Sequence, residues 1–229
     1  MRWIELADGV YARRYAELDQ TLGLVVGTER CLVIDTGPDE THGAEWAAAV
    51  RSVTPLPWDV VITHSHWDHF LGTQAFLPAR VWAHARCAAA IAADTDNQVT
   101  AWAAKYRAVD KHELAERLEL ARVVLPDHDT GDSTTLDLGG RTVELIHLGL
   151  GHTDNDVVVH VPDAGIVFAG DTVEQGAPPS IGPDSHQDLW PALLDGILAL
   201  RPAVIVPGHG EPVDADFVRA QRDALMRFE

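Results

Sequence analysis

At 229 residues and 46% hydrophobic content, the chain is long enough to bury a substantial core without disulfide support. Its 35 acidic residues against 17 basic ones give a formal charge of -18. That leaves no surplus of cations to neutralise phosphate, which argues against nucleic acid and against an anionic membrane surface as partners. Only Lys105 and Lys111 are lysines, so an anionic group on a substrate would be gripped by Arg, by backbone N–H or by metal.

The segment from Met1 to Gly9 has no apolar core of signal-peptide length, and no run of about 18 apolar residues occurs, which predicts a soluble, cytoplasmic chain. Residues 9–13 alternate, and Leu22 to Val26 and Cys31 to Ile34 are apolar runs joined by the tight Gly27-Thr28-Glu29-Arg30 connection; the three read as an antiparallel meander. Cys31 and Cys87 lack close-spaced partners and are expected as reduced, packed thiols. After Asp35-Thr36-Gly37-Pro38, a strand end and breaker, Ala44, Trp46, Ala47 and Val50 recur at helical spacing and predict a helix over 41–53. Trp58 to Ile62 then reads as a buried strand.

That strand runs into Thr63-His64-Ser65-His66-Trp67-Asp68-His69, the most informative stretch of the chain. Residues two apart on an extended chain point the same way, so His64 and His66 can reach one ion, while the following turn can swing Asp68 and His69 towards a second. Beyond it the pattern predicts a short helical turn near 72–76, a strand at 80–83, a helix over 86–93 and one or two helices over 98–120. The last region is a surface helix on a sheet or a partial lid carrying Trp102 and Tyr106.

The second half repeats the style of the first. A hairpin is expected over 134–146 with a Gly139-Gly140 turn, strands over 156–161 and 165–169, a helix over 188–200, a strand over 203–206 and a helix from Asp214. No linker or low-complexity segment divides the chain, so one domain over residues 1–229 is expected, built from two sheet-and-helix halves. Three further ligand-type residues close later strands, each beside glycine: His152 after Gly149-Leu150-Gly151, Asp171 after Gly170, and His209 after Gly208. The other histidines, at 42, 84, 112, 128, 147, 160 and 186, lack a paired pattern and are read as surface or packing residues.

Together the His-x-His-x-Asp-His stretch, the lone His152, Asp171 and the final His209 resemble the motifs of the metallo-β-lactamase superfamily, and the likeness spans nearly the whole chain. The resemblance implies an α+β fold, a four-layer αβ/βα sandwich of two mixed β-sheets with helices on the outer faces. By the same resemblance His64, His66 and His152 match the ligands of a first metal, Asp68, His69 and His209 those of a second, and Asp171 the carboxylate that bridges them. Asp35 matches an acid that orients a ligand histidine. Asn155 matches a stretch of the zinc β-lactamases and would contribute to an oxyanion site.

Such a ligand set suits two zinc ions per chain, with iron or manganese as alternatives. The implied chemistry is attack by a bridging hydroxide on the carbonyl of a small-molecule ester, thioester, lactone or amide, with Asp68 orienting the nucleophile and passing its proton on. The alternative from another class is a mononuclear iron persulfide dioxygenase; a dedicated β-lactamase or a non-catalytic binding module ranks lower. Glu174 stands where the lactamases with a Cys second-metal ligand carry a carboxylate-gripping Lys, and is expected to repel a carboxylate. The loop 172–187 is expected to border the site, with Trp190 packed in the core. No apolar surface stripe points to an oligomer.

Overall fold

The computed structural model describes residues 2–227, so the outermost residues of the domain expected over 1–229 lie outside the described residues. Seven strands form the first sheet, in sequential order: β1 (Arg2–Ala7), β2 (Val10–Arg14), β3 (Thr21–Val26), β4 (Cys31–Ile34), β5 (Trp58–Val61), β6 (Val81–Ala83) and β7 (His128–Asp129). β1 to β4 are an antiparallel meander, and β4 to β7 run parallel. The second sheet holds β8 (Ser133–Asp137), β9 (Thr142–Ile146), β10 (Val158–Val161), β11 (Ile166–Glu174) and β12 (Val204–His209), antiparallel except for the β11–β12 pair.

Helices cover both outer faces, which is why the inner strands read as continuous apolar runs instead of alternating ones. Leu24 and Val33 face a core shared with α1 (Glu40–Val53), the single-turn α2 (Trp67–Phe70), α3 (Ala85–Ala108) and α4 (His112–Leu120). Their neighbours Val25, Leu32 and Ile34 face the second sheet and meet Val159, Phe168 and Val206. Val158 and Val167 then turn outward onto α5 (Trp190–Ala199) and α6 (Ala215–Leu225). Helix, sheet, sheet and helix therefore stack as the four layers expected. Each interface is lined by buried apolar side chains, and burial at about 25 cal/mol per Å² of apolar area holds the layers together.

Local differences from the sequence reading have physical causes. β1 is an additional edge strand, half-exposed and so weakly patterned. α3 continues unbroken through the polar Asp94-Thr95-Asp96-Asn97 stretch, because Thr95 is buried and its hydroxyl bonds back to Ile91 O. The break comes later, where Asp110 takes a left-handed φ of 59°. In α1 it is Gly43 and Ala49, not Ala44, that join Trp46, Ala47 and Val50 in the core. Gly43 is required there, since a Cβ would lie 2.3 Å from Gly72 O. Cys31 and Cys87 are both buried and unbonded. No helix among the described residues is long and apolar enough to cross a membrane.

Candidate metal centre

One edge of the sandwich collects the chemistry. β5 delivers His64 and His66, α2 carries Asp68 and His69, the turn after β9 supplies His152, and Asp171 and His209 lie on β11 and β12. The last two belong to the strands themselves and do not merely follow them. β11 shifts register at Phe168/Gly170 and again at Gly170/Glu174, and such irregularity re-aims a side chain at a functional edge. Gly208 allows the approach: a Cβ there would stand 1.9 Å from Asp171 Oδ1.

The seven side chains form three overlapping groups among the described residues: His64, His66 and His152; His64, His69 and Asp171; and Asp68, His69 and His209. Within the first, His64 Nε2 lies 3.1 Å from His66 Nδ1, which lies 2.8 Å from His152 Nε2. Around the last, His209 Nε2 is 3.2 Å from Asp68 Oδ2 and 3.3 Å from Asp171 Oδ2, and His69 Nε2 is 3.6 Å from Asp68 Oδ2. Asp171 Oδ2 also sits 3.9 Å from His64 Nε2 and 3.7 Å from His152 Nε2, between the two clusters. Neighbouring ligand atoms of a tetrahedral zinc with bonds of about 2.0 to 2.1 Å are about 3.3 Å apart, so these spacings fit. His69 Nε2 and Asp171 Oδ1 fit for a second reason: both are buried and make no hydrogen bond, although 3.2 Å apart.

The profile of the Metallo-beta-lactamase superfamily matches residues 17–209. The chain belongs to the metallo-beta-lactamase superfamily. It is 25% identical over 232 residues to the metallo-beta-lactamase type 2 of Bacillus cereus, covering 97% of this chain and 78% of that one. Identity to the type 2 enzyme of Bacteroides fragilis is 36% over 108 residues, 45% of this chain and 43% of that relative, so this match spans under half of either protein. An acyl-coenzyme A thioesterase of Homo sapiens is 28% identical over 187 residues, 75% of this chain and 66% of that one. A solved metallo-beta-lactamase from Pontibacter korlensis superposes with a TM-score of 0.71 at 21% identity, with 98% of each chain covered, which supports the fold. The superfamily's members named here are hydrolases.

In this member of the superfamily each histidine ring of the cluster is held from behind. His69 Nδ1 donates to Asp35 Oδ2 at 2.8 Å, and Thr63 gives both its N–H and its hydroxyl to the same carboxylate. With that hydroxyl committed, Thr63 Oγ1 accepts from His64 Nδ1 at 3.1 Å. Asp35 holds a left-handed φ of 58°, strain of the kind that persists where the surroundings impose it. His209 Nδ1 donates to Leu18 O, His152 Nδ1 to Ser180 O and His66 Nε2 to Asp184 Oδ2. Each of these five histidines thus has its outward nitrogen engaged, a contact that would orient the ring towards a metal on its inward side.

Burial opposes charge on His69 and His209, yet the carboxylates of Asp171 and Asp68 outweigh it and hold both rings well above the ordinary histidine value. Burial alone would raise Asp171; His209 and His69 hold it well below the usual carboxylate range instead. In the three-histidine group, burial pushes His64 well down and His152 to about 4. His66 is raised, because Asp184 overrides its burial.

Asp184, Gln20 and Ser180 escaped the sequence reading. Asp184 lies 118 positions from His66, and Gln20, which donates to Asp68 O at 2.5 Å, lies 48 positions from it, so no local pattern marks either. Asn155 is buried with its amide donating to Ser65 Oγ and Asp154 Oδ1, so its Nδ2 donors are engaged within the protein. The expected repulsion by Glu174 is corrected: its carboxylate is 5% exposed and engaged with Ser180, so it offers no charge to a substrate. His128 packs against Trp82 with the rings tilted, and Trp190 is core, its indole donating to Thr172 O. Residues 98–120 fill the end of α3 and α4, where Trp102 and Tyr106 pack on Trp67.

Proposed function

We propose that this chain is a dinuclear zinc hydrolase that cleaves the carbonyl ester, thioester, lactone or amide bond of a small molecule. The observation that carries the reading is the convergence of seven ligand-type side chains, among which Asp171 faces both clusters. His64, His66 and His152 would hold one ion, and Asp68, His69 and His209 the other, with Asp171 shared. Zinc at both positions would lower the pKa of a water there from about 15.7 towards 7 and polarise the scissile carbonyl.

The protein's own residues do the rest. Asp68 Oδ2 faces His209 and His69, and its backbone is pinned by Gln20, so its carboxylate can orient an attacking water and carry its proton to the leaving atom. Asp35 and Thr63 keep His64 and His69 from rotating as charge develops. Between Tyr15, Pro38, His42, Tyr106 and Leu118, against Trp67, lies a cavity of about 250 Å³. Its lining also includes Glu17, Asp39, Glu45 and Arg117, so it presents both apolar and charged groups. The thioesterase and lactamase relatives make acyl thioesters and lactams the first compounds to try.

Elemental analysis of protein purified without added metal or chelator tests the proposal. Close to two zinc per chain, with hydrolysis of a thioester, lactone or lactam, is the expected result. One iron per chain with oxygen consumption on a persulfide would overturn it in favour of a dioxygenase.

A further inference from the structure

The segment between β11 and α5, residues 175–189, does more than border the site. Asp184 accepts from His66, and Ser180 O accepts from His152 Nδ1 at 3.1 Å. Ser185 Oγ donates to His152 O and His186 N donates to Gly151 O, so the same loop also grips the backbone on which His152 sits. Two of the three rings in the three-histidine group are thus held from this one loop. The rings of His69 and His209 are held by Asp35 and Leu18, on other elements.

What holds the loop is Glu174. Its Oε1 accepts from Ser180 N at 2.7 Å and its Oε2 from Ser180 Oγ at 2.9 Å. It is the last residue of β11, paired in register with His209, and its backbone N–H donates to Gln221 Oε1. A carboxylate 5% exposed and close to Asp171 is costly to bury, and burial with the Asp171 charge pushes Glu174 up to about 7. The two donors of Ser180 offset part of that cost. The hydrolytic chemistry has no use for Glu174 as acid, base or ligand.

We infer that Glu174 is a positioning residue: it clasps Ser180, fixes the carbonyl that orients His152, and so sets the metal affinity of the three-histidine group separately from that of Asp68, His69 and His209. The inference rests on the metal-centre reading above. Coupling is reciprocal, so an ion bound by His66 and His152 stabilises the closed loop in return.

The test is zinc titration of metal-stripped full-length protein against a chromophoric chelator, for the native chain, Glu174→Ala, Glu174→Gln and Ser180→Ala. The native chain should bind two ions. Glu174→Ala should weaken one of the two affinities by about 10- to 100-fold and leave the other within about twofold. Glu174→Gln keeps an acceptor for Ser180 N–H and a donor for Ser180 Oγ, and should restore most of the loss. Ser180→Ala keeps the backbone N–H and carbonyl and loses one of two contacts, so it should fall between; it carries the test alone if Glu174→Ala fails to fold. Cobalt gives a second readout: the visible absorption of one bound ion should change in Glu174→Ala and return in Glu174→Gln. A native chain that binds no metal would overturn the metal-centre reading itself. Two ions in the native chain with both affinities unchanged in Glu174→Ala and Ser180→Ala, or weakened equally, would overturn the clasp alone.

Discussion

Strand β5 has buried charge at both ends, and the two ends handle it in opposite ways. At its start Asp59, with a side chain 1% exposed, takes two hydrogen bonds from Arg30 and two from Arg80. Burial would raise that carboxyl, but the two guanidinium groups hold it below the usual range. Beyond its other end, His69 Nε2 and Asp171 Oδ1 are buried with no hydrogen bond, and rings and carboxylates crowd within 4 Å of one another. A satisfied buried charge is a stability device, and an unsatisfied one costs stability unless something else binds there. The difference fits the proposed site at the second end and a scaffold role at the first.

The largest expected effect separates the two ends by activity. Stripping metal with a chelator should abolish hydrolysis and added zinc should restore it. Asp171→Ala and Asp68→Ala should each cost several kcal/mol of transition-state stabilisation, on the order of 10³-fold in kcat/KM. Both variants should keep native circular dichroism, because the remaining ligands still pack. Turnover unchanged in Asp68→Ala would remove its assigned role.

At the scaffold end the pattern inverts. Asp59→Ala should leave metal stoichiometry unchanged but destabilise the fold by about 2 kcal/mol, less than a fully buried pair because Arg30 and Arg80 keep partial solvent access. In a protein of this size that lowers Tm by about 4 to 8 °C. Loss of metal in this variant would mean that the two ends are coupled through β5.

Acidity should sharpen the contrast. Asp59, with its folded value depressed, contributes stability that is present above the unfolded value near 3.9 and lost as pH falls through the folded one. His69 and His209 are raised, so in the metal-free protein their contribution is full below about 6.5 and is lost as pH rises through their folded values. Zinc must displace those protons, so its affinity grows in the same direction. Thermal melts with and without zinc should therefore show a zinc-dependent rise in Tm that widens from pH 6 to pH 8 (about 6.5 being the pivot). A constant gap would mean that protons and zinc do not compete there.

The smallest effect is expected at Asn155. With its amide donating to Ser65 and Asp154, Asn155→Ala should lower kcat by less than about tenfold, whereas a working oxyanion donor is worth about 10²- to 10³-fold. A loss of the larger size would show that the amide turns towards substrate on binding.

The amino-acid sequence by itself was enough to find the two sheet-and-helix halves, because strands covered on both faces are apolar throughout and α1 carries its stripe at helical spacing. It was enough to single out the seven ligand-type residues that the fold gathers at one edge of the sandwich, since ligand chemistry demands particular side-chain types and strand ends beside glycine leave a local trace. Thr95 shows where local reading stops: a polar stretch looks like a helix end until burial supplies the partner for its hydroxyl. Tertiary structure alone decided that Asp184 meets His66, that Gln20 pins Asp68, and that Glu174 turns inward to Ser180 instead of outward to a substrate. Those residues act through hydrogen bonds across distant parts of the chain, and a polar side chain carries no mark in its own neighbourhood of the partner that folding will bring to it.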